Sequence, residues 1–356
     1  MKHIEIAGRS IGPGHAPYVI AEMSGNHNRS LDRALAIVDA IAASGAHAVK
    51  LQTYTADTMT LDLREGPFLI DDPSSLWNGR SLYELYEEAH TPWEWHPALF
   101  ERARRHGLAC FSSPFDASAV DLLESLDAPA YKIASFENTD VALVRRVART
   151  GRPVIISIGM ANLAEIDQAI RTIRAEGNDQ IVLLKCTSTY PADPSDSHLR
   201  TIPHLREAFG VQVGLSDHTL GIGVPIASVA FGATVIEKHV TLDRSEGGVD
   251  AAFSLEPHEL RALVDEAARA HASLGEVRYG ASAAEQGSMQ FRRSLYVVRD
   301  IRAGETLTRD NVRAIRPGYG LPVADLERVL GMAVTRDVRR GTPLDWSVLR
   351  QGGGQA

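Results

Sequence analysis

The chain has 356 residues, 44% of them hydrophobic and 23% charged, with a formal net charge of −8 at pH 7. No stretch approaches the roughly 18 consecutive apolar residues that cross a bilayer as a helix, and no basic block offers the clustered cationic face that nucleic acid requires, so neither partner is expected. The opening MKHIEIAGRS carries no apolar leader run, and a cytoplasmic protein with room for one large domain and one small one is expected.

Along the chain, short and near-continuously apolar runs alternate with segments of helical period. The runs lie at 17–23, 48–52, 109–114, 130–135, 153–159, 181–188, 212–218 and 234–240. Such runs suit parallel strands covered by helices on their outer face. Helical segments follow at 31–44, 97–106, 116–126, 139–149, 162–176, 198–208, 222–231 and 257–274. Ser30 and Gly45 frame the first as N-cap and stop. Eight strand–helix units predict a (β/α)8 TIM barrel over 1–280, with a doubly wound open sheet as the runner-up. Cys110 and Cys186 fall inside two of the runs and are expected as buried thiols, not a disulfide.

Two regions break the rhythm. The connection 53–92 is long and aromatic, with Trp77, Tyr83 and Tyr86, followed by Trp93 and Trp95. It is either a plug or dimer contact, or a lid that shapes specificity. Near 280 the pattern changes: 281–290 reads as a linker, 291–350 as a small β-rich domain, and 350–356 (RQGGGQA) as a frayed tail.

In a barrel the C-terminal strand ends converge on one face, where active sites are built. His218 and His239 end the seventh and eighth strands, close enough to share one divalent ion and leave positions open. Mn²⁺ or Mg²⁺ suits that openness, with Zn²⁺ and Co²⁺ as alternatives; the plain alternative is two separately hydrogen-bonded histidines. Lys50, Lys132 and Lys185 sit inside apolar strands and call for an anion beside them. That anion is a phosphate or carboxylate ligand, or an internal partner among Glu22, Glu137 and Glu237; a Schiff-base role is the third option. Ser112, Ser113, Ser135, Ser157, Ser188 and Ser216 place hydroxyls at five strand ends, a ring suited to phosphate oxygens. Glu22 ends the first strand, next to the eighth once the barrel closes, where it could orient a water.

The segments AEMSGNHN (21–28), KLQTYT (50–55), FSSPF (111–115), YKIASFE (131–137), SIGM (157–160), KCTSTYP (185–191), GLSDHT (214–219) and IEKH (236–239) resemble the sialic acid synthase family. RRSLY (292–296), RDI (299–301) and RPGYGL (316–321) resemble that family's antifreeze-like (SAF) domain. WNGRSLYELY (77–86) and TPWEW (91–95) bring the chain nearest to the pseudaminic branch.

The resemblance implies a metal-dependent transferase that condenses phosphoenolpyruvate with a 2,4-diacetamido-2,4,6-trideoxyhexose. The legionaminic and N-acetylneuraminic precursors are the alternative sugars, and a non-catalytic carbohydrate-binding protein is the remote one. It implies that His218 and His239 hold the metal, Mn²⁺ ahead of Mg²⁺ or Co²⁺, and act in catalysis with Glu22. It assigns Lys50, Ser113, Lys132, Ser135, Ser157, Ser188 and Ser216 to phosphoenolpyruvate. Gln52, Glu137, Tyr190 and Asp250 fall to the sugar, joined by Arg316 from the partner in a domain-swapped homodimer. Two positions depart from relatives: Ile158 replaces a common threonine, which removes a hydroxyl expected near the phosphate, and Ser188 replaces the asparagine of sialic acid synthases.

Overall fold

Runs that are apolar on both faces bury both faces only when strands pair on either side and helices cover the outside. In the computed structural model, which describes residues 3–73 and 75–350, eight such runs close into a parallel barrel. A short hairpin comes first, β1 (Ile4–Ile6) and β2 (Arg9–Ile11). The barrel strands follow: β3 (Tyr18–Glu22), β4 (Ala48–Thr53), β5 (Ala109–Pro114), β6 (Tyr131–Ile133), β7 (Val154–Ser157), β8 (Ile181–Cys186), β9 (Gln212–Asp217) and β10 (Val235–His239). Hydrogen bonding from β10 to β3 closes the ring, with His239 opposite Glu22. The open-sheet alternative is thereby set aside.

Helices cover the outer face, from Leu31–Ser44 to Pro257–Leu274. Their apolar stripes pack on Val19, Val49, Leu51, Ile133, Ile156, Leu183 and Ile236. Inside, a second cluster fills the base of the barrel: Tyr18, Ile20, Ala48, Phe111, Ile155, Val182, Leu184 and Val235, with Ile4, Ile6 and Ile11 of the hairpin beneath them. The sequence reading missed this hairpin, because three-residue strands are too short to show a period. Its turn, Ala7–Gly8, takes positive φ at both residues (49° and 81°), the geometry of a tight two-residue hairpin loop.

The chain divides into two compact units, Met1–Gly275 and Glu276–Ala356. In the second, β11 (Ser294–Val297) pairs antiparallel with β12 (Val312–Ile315) over a core of Leu295, Val297, Ile301, Leu307, Val312 and Leu344. The segment expected as a linker, 281–290, is wound into a 3-10 helix over Ala283–Phe291. Residues 351–356 of the expected tail lie outside the described residues. No helix among the described residues is long and apolar enough to cross a membrane.

Candidate active site

Side chains alternate along a strand, so every second residue near a strand's C-terminal end faces the barrel axis. That rule gathers Lys50, Gln52, Lys132, Ser157, Ser216, His218, Glu237 and His239 around one cavity of 650 Å³. Ser113, Ser135, Glu137, Ser188, Tyr190 and Asp250 complete it from the strand ends and following loops.

The same alternation removes two expected residues, Lys185 and Ser112. On β8, Leu184 belongs to the barrel's interior cluster and Cys186 lines the cavity, so Lys185 between them faces outward. Its Nζ donates to the Cys186 carbonyl at 2.9 Å and to Thr187 Oγ1 at 3.3 Å, which leaves it no role as an anion-binding or Schiff-base lysine in the cavity. Ser112 shares a 2.6 Å hydrogen bond with Thr53 Oγ1 outside the barrel. Ile158 is buried among the helix-facing apolar residues, so the side chain at that position does not border the cavity. Glu22 is fully buried and lies behind Lys50, not on the cavity wall. Arg316 is exposed in the second unit, directly after β12.

The floor is an interlocked set of buried charges. Lys50 Nζ is 2.5 Å from Glu22 Oε2 and 3.8 Å from Glu237 Oε1, and it donates to Ser113 Oγ at 3.2 Å. Lys132 Nζ is 3.5 Å from the same Glu237 oxygen, which also accepts from Ser216 Oγ at 3.0 Å. Burial raises the Glu22 carboxyl to about 7 against the pull of Lys50, with Glu237 adding to the rise. Burial acts on Glu237 in the same sense, but Lys132 and Lys50 outweigh it and hold that carboxyl low. Burial also lowers Lys132, only partly offset by Glu237. Glu137 is pushed up to about 7, again by burial. Glu237, one of the internal partners the sequence offered for the strand lysines, meets both Lys50 and Lys132 from a place two residues before His239 on the same side of β10.

Beside this floor stand the two imidazoles, with ring centroids 5.3 Å apart. His218 Nδ1 lies 2.8 Å from the Thr187 carbonyl, which only accepts, so Nδ1 carries a hydrogen and Nε2 is the nitrogen that the neutral ring would present to a ligand. His239 Nδ1 has no hydrogen-bond partner and lies 3.7 Å from Asp250 Oδ2. Burial keeps His239 neutral to well below its ordinary range, with His218 acting in the same sense, and a neutral imidazole is the form that ligates a metal. Burial would lower His218 too, but Cys186 and the Thr187 carbonyl beside it carry the balance upward. No group of three or more His, Cys, Asp or Glu with ligand spacing occurs among the described residues. An ion held by this pair would have to take its remaining ligands from water and substrate.

A cradle lies across the cavity. Ser188 Oγ donates to Ser135 Oγ at 2.8 Å. Gly159, at φ 45°, approaches them so closely that a Cβ there would lie 2.5 Å from Ser135 Cβ. Buried Asn138 pins these strand ends, its Nδ2 reaching the carbonyls of Ser135, Ser157 and Ile158 at 2.9–3.2 Å. Ser157 Oγ, Glu137 Oε2 and Glu237 Oε2 lack hydrogen-bond partners. Buried polar atoms are rarely left so, and here they border the cavity. On the outer side Tyr190 lies against His218, with centroids 4.4 Å apart, and Ser24 donates to Asp250.

Residues 37–279 match the NeuB family and residues 292–350 the SAF domain. The chain is 44% identical to the pseudaminic acid synthase of Helicobacter pylori, over 92% of this chain and 96% of that protein. It is 42% identical to the pseudaminic acid synthase of Campylobacter jejuni, over 92% and 95%. Among solved structures it resembles the N-acetylneuraminic acid synthetase of Leptospira borgpetersenii with a TM-score of 0.72 and 30% identity, over 82% of this chain and 96% of that one.

Proposed function

We propose, starting from the fact that this chain belongs to the NeuB family, that it carries out the pseudaminic acid synthase reaction. Phosphoenolpyruvate, the ring-opened aldehyde form of 2,4-diacetamido-2,4,6-trideoxy-β-L-altropyranose and water give pseudaminic acid and phosphate. The observation that carries this reading is the joining of two lysines and a serine ring to an imidazole pair in one cavity. We read it as an anion site beside a site for an electrophile, with both lysines also paired internally to Glu22 and Glu237. The higher identity to pseudaminic acid synthases, 44% and 42% against 30% for the N-acetylneuraminic acid enzyme, ranks the sugars.

Lys50, Lys132, Ser113, Ser135, Ser157, Ser188 and Ser216 hold the phosphate and carboxylate of phosphoenolpyruvate. Their charge and hydroxyl donors match its oxygens. The enol-ether C3 of phosphoenolpyruvate attacks the aldehyde carbon, forming the new C–C bond and leaving positive charge at C2. Water adds at C2 and loses a proton, the aldehyde oxygen gains one, and the C–O bond to phosphate breaks. Glu137, which reaches the cavity and whose carboxyl burial pushes up to about 7, suits the proton exchange with the sugar. Glu22 acts through Lys50 by fixing its ammonium, and is a positioning residue. A divalent ion held by His218 and His239, Mn²⁺ ahead of Mg²⁺ or Co²⁺, would supply Lewis-acid polarisation of the aldehyde oxygen. Alignment of two bound reactants is worth about 7–11 kcal/mol of the barrier, and the floor's fixed charges supply it for one of them.

Gln52, Glu137, Tyr190 and Asp250 contact the sugar. Arg316 is assigned to the sugar end of a partner copy's cavity, in a domain-swapped homodimer. Mixing inactive Arg316→Ala and His239→Ala chains tests that assignment: a swapped dimer rebuilds one complete cavity and regains activity, and an unswapped one stays silent.

A phosphate-release assay with phosphoenolpyruvate and the pseudaminic, legionaminic and N-acetylneuraminic precursors in parallel tests the whole reading. Release with the first sugar is expected. No release with any of the three would favour a non-catalytic carbohydrate-binding protein. Borohydride trapping of a pyruvate adduct on Lys132 would favour a Schiff-base enzyme.

A further inference from the structure

The cavity has two unlike halves. Its floor is polar and comes from strand ends. Its outer wall comes from the 54–95 connection and presents Met59, Ile70, Leu82 and Leu85. Asp72 and half-buried Ser75 add polar atoms from a loop spanning 69–81, and Tyr54, Trp77 and Tyr86 of the same connection add ring edges with one polar atom each.

That loop is closed at its base. Ile70 N donates to the Arg80 carbonyl at 2.9 Å, and Gly79 N donates to the Ile70 carbonyl at 2.7 Å. Near its far end the Trp77 indole N–H donates to the Val249 carbonyl at 3.1 Å, on the opposite lip of the cavity beside Asp250. The Trp77 ring also lies against Tyr190, with centroids 5.8 Å apart. The loop is tied at both ends, so Ile70 is held in place over the cavity.

In the reaction the aldehyde carbon, C1, sits at the imidazole pair, and phosphoenolpyruvate occupies the floor. The chain of the sugar therefore runs outward, and C6, five carbons from C1, meets the outer wall. A hydroxyl pressed against Met59 and Ile70 loses water and gains no partner, whereas a methyl group fits there. We propose that Met59 and Ile70 form a specificity wall that selects a methyl over a hydroxymethyl at C6 of the sugar, with Trp77 as the strut that positions it. The inference rests on the reaction assigned above and adds which residues read the sugar's far end.

The test compares kcat/KM of the full chain for the 2,4-diacetamido-2,4,6-trideoxyhexose and for the same hexose bearing a 6-hydroxyl. The unmodified chain should prefer the deoxy sugar by at least about tenfold, the scale of one small group in an apolar pocket. Ile70→Thr and Met59→Thr should each reduce that preference severalfold with the KM for phosphoenolpyruvate unchanged. Trp77→Ala should raise the sugar KM about tenfold, again without moving the KM for phosphoenolpyruvate, and Trp77→Phe should fall between. An undiminished preference in both wall variants overturns the proposal, as does a KM for phosphoenolpyruvate that moves in step with the sugar KM in Trp77→Ala. Silence of the unmodified chain with both hexoses overturns the assigned reaction itself, and the wall falls with it.

Discussion

The floor of the cavity and its outer wall reach order by different routes. The floor hangs from eight strands whose hydrogen-bonded register leaves each side chain one direction to face, so Lys50, Lys132, Glu22 and Glu237 are buried together as one interlocked set. The wall is a connection of short helical turns and one tied loop, and its apolar residues have no charge to balance. Changes to the floor should therefore be severe and shared between stability and activity, and changes to the wall should be local.

The largest effect is expected at the rim of the floor. His218→Ala and His239→Ala should each lower turnover by at least about a thousandfold while circular dichroism stays native. Activity that survives exhaustive chelation would remove the ion from the mechanism. Next comes Lys132→Met, which strands Glu237 without one of its cations. A loss of about 3–5 kcal/mol in a denaturant titration is expected, with the KM for phosphoenolpyruvate raised at least about a hundredfold. Adding Glu237→Gln should recover much of the stability and none of the binding; recovery of both would mean the lysine serves only its neighbour.

Glu137 tests the electrostatics more gently. Its carboxyl is raised by burial from an ordinary 4.5 to about 7, so the folded chain holds that proton more tightly than the unfolded one. Its contribution to stability is full below about pH 4.5 and is lost as pH rises through 7. Glu137→Gln should therefore flatten the fall in Tm across that window by a few degrees, and parallel Tm curves would contradict the raised carboxyl. The smallest effect belongs to Lys185→Met. A lysine that faces outward from β8 should leave the KM for phosphoenolpyruvate within about threefold, in contrast with Lys132 two strands away.

Lys132 and Lys185 also show where sequence stops being legible. Both interrupt apolar runs, and both called for an anion. A strand buried on both faces has no hydrophobic alternation to reveal its register, so nothing in IVLLKC said which way Lys185 would turn. Ser112 and Ser113, adjacent hydroxyls of which one faces the cavity, pose the same ambiguity. The barrel itself was legible because eight repeats of one pattern outvote local noise, and His218 and His239 because adjacent strand ends meet wherever the register falls. Glu22 was found by position but not by contact, since only the closed ring puts Lys50 between it and the cavity. The wall stayed obscure for the opposite reason: its helical segments at 56–59 and 82–89 are too short to set up a period.

The hairpin at the base of the barrel governs traffic. Ile4, Ile6 and Ile11 close the end of the barrel away from the imidazoles with a layer that is at most 2% exposed. For the reaction proposed above, a floor closed from below predicts that phosphoenolpyruvate loads before the sugar and that the nine-carbon acid departs before the phosphate. Steady-state inhibition should follow that queue: phosphate competes with phosphoenolpyruvate for the empty enzyme, and excess sugar, bound too early, blocks the way in.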